Sequence, residues 1–413
     1  MTTAVTNDIR DQAAETFAKL GWPTTRLEEW RYTNLAALQK IAWRADEAPQ
    51  QVSYDASLEE SATLELVFVN GRLVGGAGPE DWPAGVTAAA SFETIADFER
   101  NAMVALNISQ TQDGAHITIA PGTVVDGFIH LLFIGSGDGI WSHPRNRISV
   151  GANAQVAIVE SYAGSGGYFT NALTEIVADE GAVVDHYKVE CESPSAYHIG
   201  SIYIREERGA NVTSRSIALG GLLARTETHV ALAGEGAGVV LDGLFVGTAA
   251  QHLDNLTVVD HVTPHCESVQ LYKGILDQSS RGVFDGRIIV RPGAVKTASR
   301  QTNRNLLLSE TAIVDSKPNL EIHNDDVKCS HGSTIGQLDL EQLFYIRSRG
   351  ISEEDARSLL VHAFASEIVD RMKIEPVREQ IRRRLFQTMP GRMPERRGEG
   401  REGEVLLAGG SRS

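Results

Sequence analysis

In the stretch KPNLEIHNDDVKCSHGSTIGQLDLEQLFYIRSRG, Lys317 to Gly350, a thiol and an imidazole stand two residues apart, Cys329 and His331. Residues i and i+2 of an extended chain leave the same face of a strand, so this spacing aims both groups at one object. A soft metal suits such a pair, because thiolate and imidazole both bind iron, zinc and copper. Two donors leave a tetrahedral ion half coordinated, and the spacing therefore predicts a site that a second surface completes. The competing reading is bland: Cys329 as one more small buried residue and His331 as a hydrogen-bonded surface group.

Other clusters carry less. His252, His261, His265 and Cys266 fall within fifteen residues, and His261 and His265 would share a strand face. Pro264 interrupts that strand, and an adjacent His-Cys pair cannot aim both side chains one way, so structural hydrogen bonding is the expected role. Asp325 and Asp326 are consecutive and face opposite ways in a strand, which disfavours a carboxylate pair for acid-base work; one of them tunes or screens the nearby site. Cys191, beside Pro194, looks ordinary. No G-x-x-x-x-G-K-[ST] loop is present, so the chain is not expected to bind ATP. There is no Cys-x2-Cys ferredoxin run, and three scattered cysteines cannot ligate a stable four-cysteine cluster.

The elements that must position these groups change character along the chain. Ile9, Ala13, Phe17 and Leu20 form one helical stripe that Gly21 and Pro23 stop. Trp22, Trp30, Tyr32 and Trp43 follow and are expected to pack a helical subdomain. From Leu64 the apolar period becomes two, and β-type alternation dominates from His116 to about Ile335. A Gly followed by a small residue and then Val recurs at Gly122, Gly151, Gly181, Gly209, Gly236 and Gly293, with spacings of 29, 30, 28, 27 and 57. The last is near twice the others, as if a copy near His265 had lost its motif. Such a period suggests a solenoid whose turns share one glycine corner. Past Gln337 the helical period returns: Ser352 and Asp355 make a capping box before a stripe of Ala356, Leu359, Leu360, Ala363, Phe364, Ile368 and Met372. Pro376 then opens a helix that buries Val377, Ile381 and Leu385. The expected divisions are a helical region 1–63, a mixed α/β link 64–115, a β core 116–336, a helical segment 337–388 and a disordered tail 389–413, which is rich in Gly, Arg and Glu.

A chain of 413 residues with 38 basic and 54 acidic groups needs no disulfide staple, and its acidity argues against nucleic acid as a partner. An odd set of three cysteines, the absence of a signal-like N-terminus and the lack of an 18-residue apolar run point to the cytoplasm, away from any membrane.

Asp325, Asp326, Cys329, Ser330, His331 and Gly332, then Leu343, Phe344, Tyr345, Ser348, Arg349 and Gly350, resemble the C-terminal signature of the SufB/SufD family of iron-sulfur cluster assembly proteins, on the SufD side. QLYKG (Gln270–Gly274), RGVFDG (Arg281–Gly286), NRNLLLS (Asn303–Ser309) and RLEEWRYT (Arg26–Thr33) extend the likeness over most of the chain. The resemblance implies a right-handed parallel β-helix flanked by helical domains, and a non-catalytic scaffold subunit. It also implies pairing with SufB, docking of the SufC ATPase through 337–388, and a transient iron-sulfur cluster held at the SufB interface. His331, and less directly Cys329, would face that cluster, with Asp325, Asp326 and Lys328 as supporting interface residues. A homodimer is the alternative assembly. Rival readings are a SufB-like sulfur acceptor, which would carry Glu where His331 stands, and a solenoid carbohydrate-active enzyme, which would need clustered carboxylates on one face.

Overall fold

The computed structural model describes residues 7–45, 58, 61–89 and 93–388; the disorder expected from 389 onward lies outside them. The chain forms a parallel β-solenoid of two stacked sheets, of eleven and ten strands. Each solenoid strand pairs with the strand two further along, so every turn adds one rung to each sheet. One rung position runs Gln155, Val183, Asn211, Gly238, Glu267, Ala298, Lys328.

The repeated corner is a left-handed residue just before these strands. It is Gly122, Asn153, Gly181, Gly209, Gly236, His265 and Lys296, with φ between 56° and 72°. Each N–H reaches a carbonyl one turn on, for example Gly209 to Glu235 at 3.0 Å and His265 to Val295 at 3.0 Å. The turn that lost its glycine therefore exists, with His265 in its place. Gly151 and Gly293 are not the corner residues of their turns; they precede Asn153 and Lys296 by two and three residues. The next position inward must be small: Ala154, Ala182, Ala210, Ala237, Cys266 and Thr297 occupy it, all buried. That explains Cys266 as the packing equivalent of an alanine.

The outer faces of both sheets carry the helices. Helix α1 (Asn7–Leu20) ends at Gly21, φ +67°, whose N–H bonds Phe17 at 2.8 Å. Helix α2 (Ala102–Gln110) is capped by the Asn101 side chain, and Val104 and Ile108 join Ala13, Leu173 and Tyr203 in one apolar cluster. Trp30, Leu35 and Leu38, with Trp22 and Trp43 beside them, pack on Phe169, Tyr197, Ile199 and Leu223 of the eleven-stranded sheet. The tryptophans thus cover a sheet rather than fill a helical subdomain.

On the other sheet lie α4 (Glu353–Val369) and α5 (Glu375–Thr388), after a short exposed α3 (Leu340–Arg347). Ser352 Oγ accepts the Asp355 N–H at 3.1 Å, the expected cap. Val361, Ala365, Ile368, Met372, Val377, Ile381 and Leu385 share one cluster with Tyr187, Val189, Ile217, Leu244, Leu271 and Leu306. The buried line of α4 therefore runs through Val361 and Ala365, while Ala363 of the expected stripe is exposed.

Candidate functional site: the open end of the solenoid

The last rungs are the strands Ile313–Ile322 and Lys328–Gly336, each at the edge of its sheet. Beneath the second, in Ala298–Leu307, Ser299, Gln301, Asn303 and Asn305 are buried while Arg300 and Arg304 are exposed, which fixes the inward positions. Register places Cys329 over Ser299, His331 over Gln301, Ser333 over Asn303 and Ile335 over Asn305. Ser333 Oγ lies 2.7 Å from Ser316 Oγ of the facing edge strand, so this face looks into the lumen. Cys329 and His331 consequently share the inner face of the final rung, and among the described residues no further turn covers them.

Cys329 is half-buried beside Ile288, Val290 and Ala294, and burial pushes its thiol up against a smaller opposing effect of the Ser299 backbone. His331 is exposed. Asp325, Asp326 and Lys328 are exposed at the corner and strand start. Asp326 bonds Lys296 through its carboxylate, 2.6 Å, and its carbonyl, 2.7 Å; the Lys328 N–H donates to Thr297 at 2.8 Å. They border the thiol and imidazole without joining their face. Among the described residues no three His, Cys, Asp or Glu side chains are arranged to hold a metal ion. Cys329 and His331 are two donors on one face, half of what a tetrahedral ion takes.

The upstream histidines stay apart. His252 Nε2 lies 2.8 Å from Thr33 Oγ1 on the outer face, and buried His261 bonds Ser268 at 2.9 Å. His265 sits on the exposed corner and Cys266 is buried. The strand ends at His261, so His261 and His265 share no face.

Sequence reasoning missed a buried ionic cluster inside the lumen. Lys188, Glu190, Glu192, His198, Glu160 and His186 are all buried. Lys188 pairs with Glu190, and its Nζ lies 2.8 Å from His198 Nε2. His198 Nδ1 lies 2.9 Å from Glu192, and His186 Nε2 3.1 Å from Glu160. Burial pulls Lys188 down to about 7 and pushes Glu192 up to about 8. The signal was present as polar residues at every second place, His186, Lys188, Glu190, but such alternation ordinarily marks a solvent face. Here the intervening Tyr187 and Val189 face outward, under the C-terminal helices.

Comparison with known proteins bears on this architecture. The model of the SUF system FeS cluster assembly SufBD core domain matches residues 133–364, and that of the SufBD protein N-terminal region matches 1–131. The Escherichia coli iron-sulfur cluster assembly protein SufD is 32% identical over 92% of this chain and 92% of its own length. A SufBD family protein of Synechocystis is 32% identical over 90% of this chain and 89% of its own. The chloroplastic protein ABCI7 of Arabidopsis thaliana is 31% identical over 91% and 84%. A solenoid with this motif at its uncovered end, matched over nearly its whole length, belongs to the SufBD family of iron-sulfur cluster assembly proteins.

Proposed function

We propose that this chain is a SufD-like, non-catalytic subunit of a cytoplasmic SufBCD-type scaffold, built on a right-handed parallel β-helix with helical appendages at both ends. A SufB-like chain pairs with its open end, and together they hold a nascent iron-sulfur cluster as cargo. The observation that carries this reading is the placement of Cys329 and His331 side by side on the inner face of an edge strand. A partner strand laid along that edge would bring further thiolate or carboxylate donors to the same face. His331 is the principal ligand: neutral imidazole holds iron less firmly than thiolate and leaves on protonation, which favours release to an acceptor. Cys329, with a thiol held protonated by burial, is exposed for ligation when the interface opens.

ATP is handled by a SufC-like ATPase docked through residues 337–388. Helix α3 is the favoured contact, since Leu340 and Phe344 are 75% and 73% exposed. Nucleotide-driven closure of paired ATPases would shift the open end between covered and accessible states.

The test of the site is His331→Ala in the reconstituted complex, read as iron and acid-labile sulfide per complex. Loading at the wild-type level removes the assignment, and a native mass measurement distinguishes the heteromeric pair from two copies of this chain. Docking is tested by Leu340→Asp with Phe344→Asp. Removal of 352–388 is a poorer test, because α4 and α5 cover the outer face of a sheet.

A further inference from the structure

The column beneath His331 contains a buried amide oxygen with no partner, facing the final rung. Gln270, Gln301 and His331 occupy successive rungs of a single inward column. Thr257 Oγ1 donates to Gln270 Oε1 at 2.8 Å, and Gln301 Nε2 donates to the same oxygen at 3.3 Å. With the Gln270 oxygen held in place by the Thr257 hydroxyl, turning the Gln301 amide alone would set its oxygen against the Gln270 oxygen. A second constraint comes from the facing sheet: a Cβ on Gly286 would lie 2.3 Å from Gln301 Nε2 and 2.7 Å from its Cδ, so the missing side chain there provides the seat. Gln301 is fully buried, and its Oε1 has no hydrogen-bond partner.

A ladder of stacked amides passes each N–H to the oxygen of the rung before and leaves its own oxygen for the rung after. Gln301 has made the first bond, and the rung after it carries His331. A buried carbonyl oxygen left without a donor is costly, and the ring N–H of His331 is the donor that the column supplies. A histidine that binds a metal through one nitrogen nearly always gives its other ring N–H to an acceptor, which fixes tautomer and ring direction.

We propose that Gln301 is the positioning residue for His331: its free amide oxygen accepts one imidazole N–H, which leaves the other nitrogen unprotonated and directed out of the lumen at the cargo iron. This rests on the reading of His331 as a cargo ligand. The acceptor makes the imidazole a one-tautomer donor before iron arrives, and Gly286, Gln270 and Thr257 hold the acceptor.

Two substitutions separate this role from packing. Gln301→Met keeps the volume and removes the acceptor; Gln301→Glu, kept protonated by its buried place against the Gln270 oxygen, donates its O–H to that oxygen and keeps an acceptor oxygen at the same reach. In the full complex, Gln301→Met is expected to raise the iron concentration for half loading about tenfold, with Gln301→Glu close to wild type. A packing role alone predicts the reverse order, because a buried carboxyl group disturbs the lumen more than methionine does. The second readout uses ring-nitrogen-labelled histidine in the full chain, free and partner-bound, before iron is added. His331 should show one dominant tautomer in wild type and in Gln301→Glu, and a mixture in Gln301→Met. Identical ring-nitrogen patterns in wild type and Gln301→Met overturn the proposal whatever the iron result, as does Gln301→Glu loading worse than Gln301→Met. If the patterns differ while His331→Ala loads iron normally, the Gln301 contact stands and the ligand reading falls.

Discussion

Replacing Glu192 with Gln should reverse a pH-dependent weakness in the middle of the solenoid. Glu192 is buried, accepts from Thr170 Oγ1 at 3.0 Å and lies 2.9 Å from His198 Nδ1. Burial, only partly offset by Lys188 and Thr170, pushes its carboxyl from 4.5 up to about 8. Below pH 4.5 both folded and unfolded chains hold this proton, so Glu192 takes nothing from stability there. Between 4.5 and 8 the unfolded chain releases the proton while the folded one keeps it, and stability falls as pH rises; above 8 the loss is complete. Lys188 acts in the opposite sense, its folded value pulled down to about 7, but below pH 7 it is charged in both states. Burial also holds His198 well below 6.5, so it adds a slope of opposite sign below pH 6.5 in both proteins; the comparison with the variant isolates the Glu192 effect, at about 1.4 kcal/mol per pH unit and so about 3 kcal/mol from pH 5 to pH 7. Gln cannot ionise and keeps an acceptor for Thr170. Hydrogen exchange of the strands Val183–Cys191 and Tyr197–Glu206, compared between variant and wild type at each pH, reads the opening free energy of these turns. The variant's advantage should grow by about 3 kcal/mol from pH 5 to pH 7. Curves that run parallel would show that Glu192 ionises alike in both states, and the account of the lumen cluster would be wrong.

Three further outcomes follow from the fold and its edge. Gly209→Ala adds a Cβ that meets nothing within 4 Å but at φ +64°, so urea unfolding should show a pure backbone loss of about 1–2 kcal/mol; Gly332→Ala, equally uncrowded and without positive φ, should be neutral. Ile368→Ala, at a fully buried position on α4, should cost about 2–5 kcal/mol and make the chain after Gly350 sensitive to protease, whereas an unchanged digestion pattern would mean the helix is held by other contacts. Ile335→Lys, on a side chain 54% exposed at the open end, should leave stability within about 0.5 kcal/mol but prevent co-purification of the SufB-like partner. Recovery of that pair at wild-type yield would move the interface elsewhere.

The repeat was legible because a left-handed corner selects glycine, and four turns keep it. Two corners were misplaced because Asn153 and Lys296 adopt the same conformation while a glycine stands nearby, and a sequence motif follows the glycine rather than the φ angle. Cys329 and His331 were placed on one face because strand periodicity alone determines that. Which face was not legible. Inward and outward positions of a strand exchange meaning when the lumen is polar and the outer face lies under helices, as His186, Lys188 and Glu190 show against Tyr187 and Val189. The tryptophans failed for a related reason: an aromatic cluster reveals that something is packed, and only the register of Phe169 and Tyr197 reveals what.

The two ends of the solenoid are built differently, and the difference bears on function. At the N-terminal end both sheets finish in short antiparallel strands. Arg72–Gly76 pairs with Leu64–Val69 through a register shift, and Val86–Ala88 pairs with His116–Ile119. Buried Trp82 closes the lumen there, its indole N–H on the Ala77 carbonyl at 3.1 Å. Short, irregular and glycine-rich edges are poor templates for another chain. Among the described residues the C-terminal end has none of these devices. Its edge strands, Ile313–Ile322 and Lys328–Gly336, run ten and nine residues, and their inward side chains are half-buried or exposed. A regular edge of that length invites a further rung from another chain. The unpaired backbone edge and, on the proposed reading, the incomplete donor set of Cys329 and His331 pose different chemical demands, and one object laid across the same face would meet both. A partner that only capped the lumen would leave the proposed metal shell open, and one that only supplied ligands would leave the edge unpaired; the second SufBD-type chain proposed above would do both.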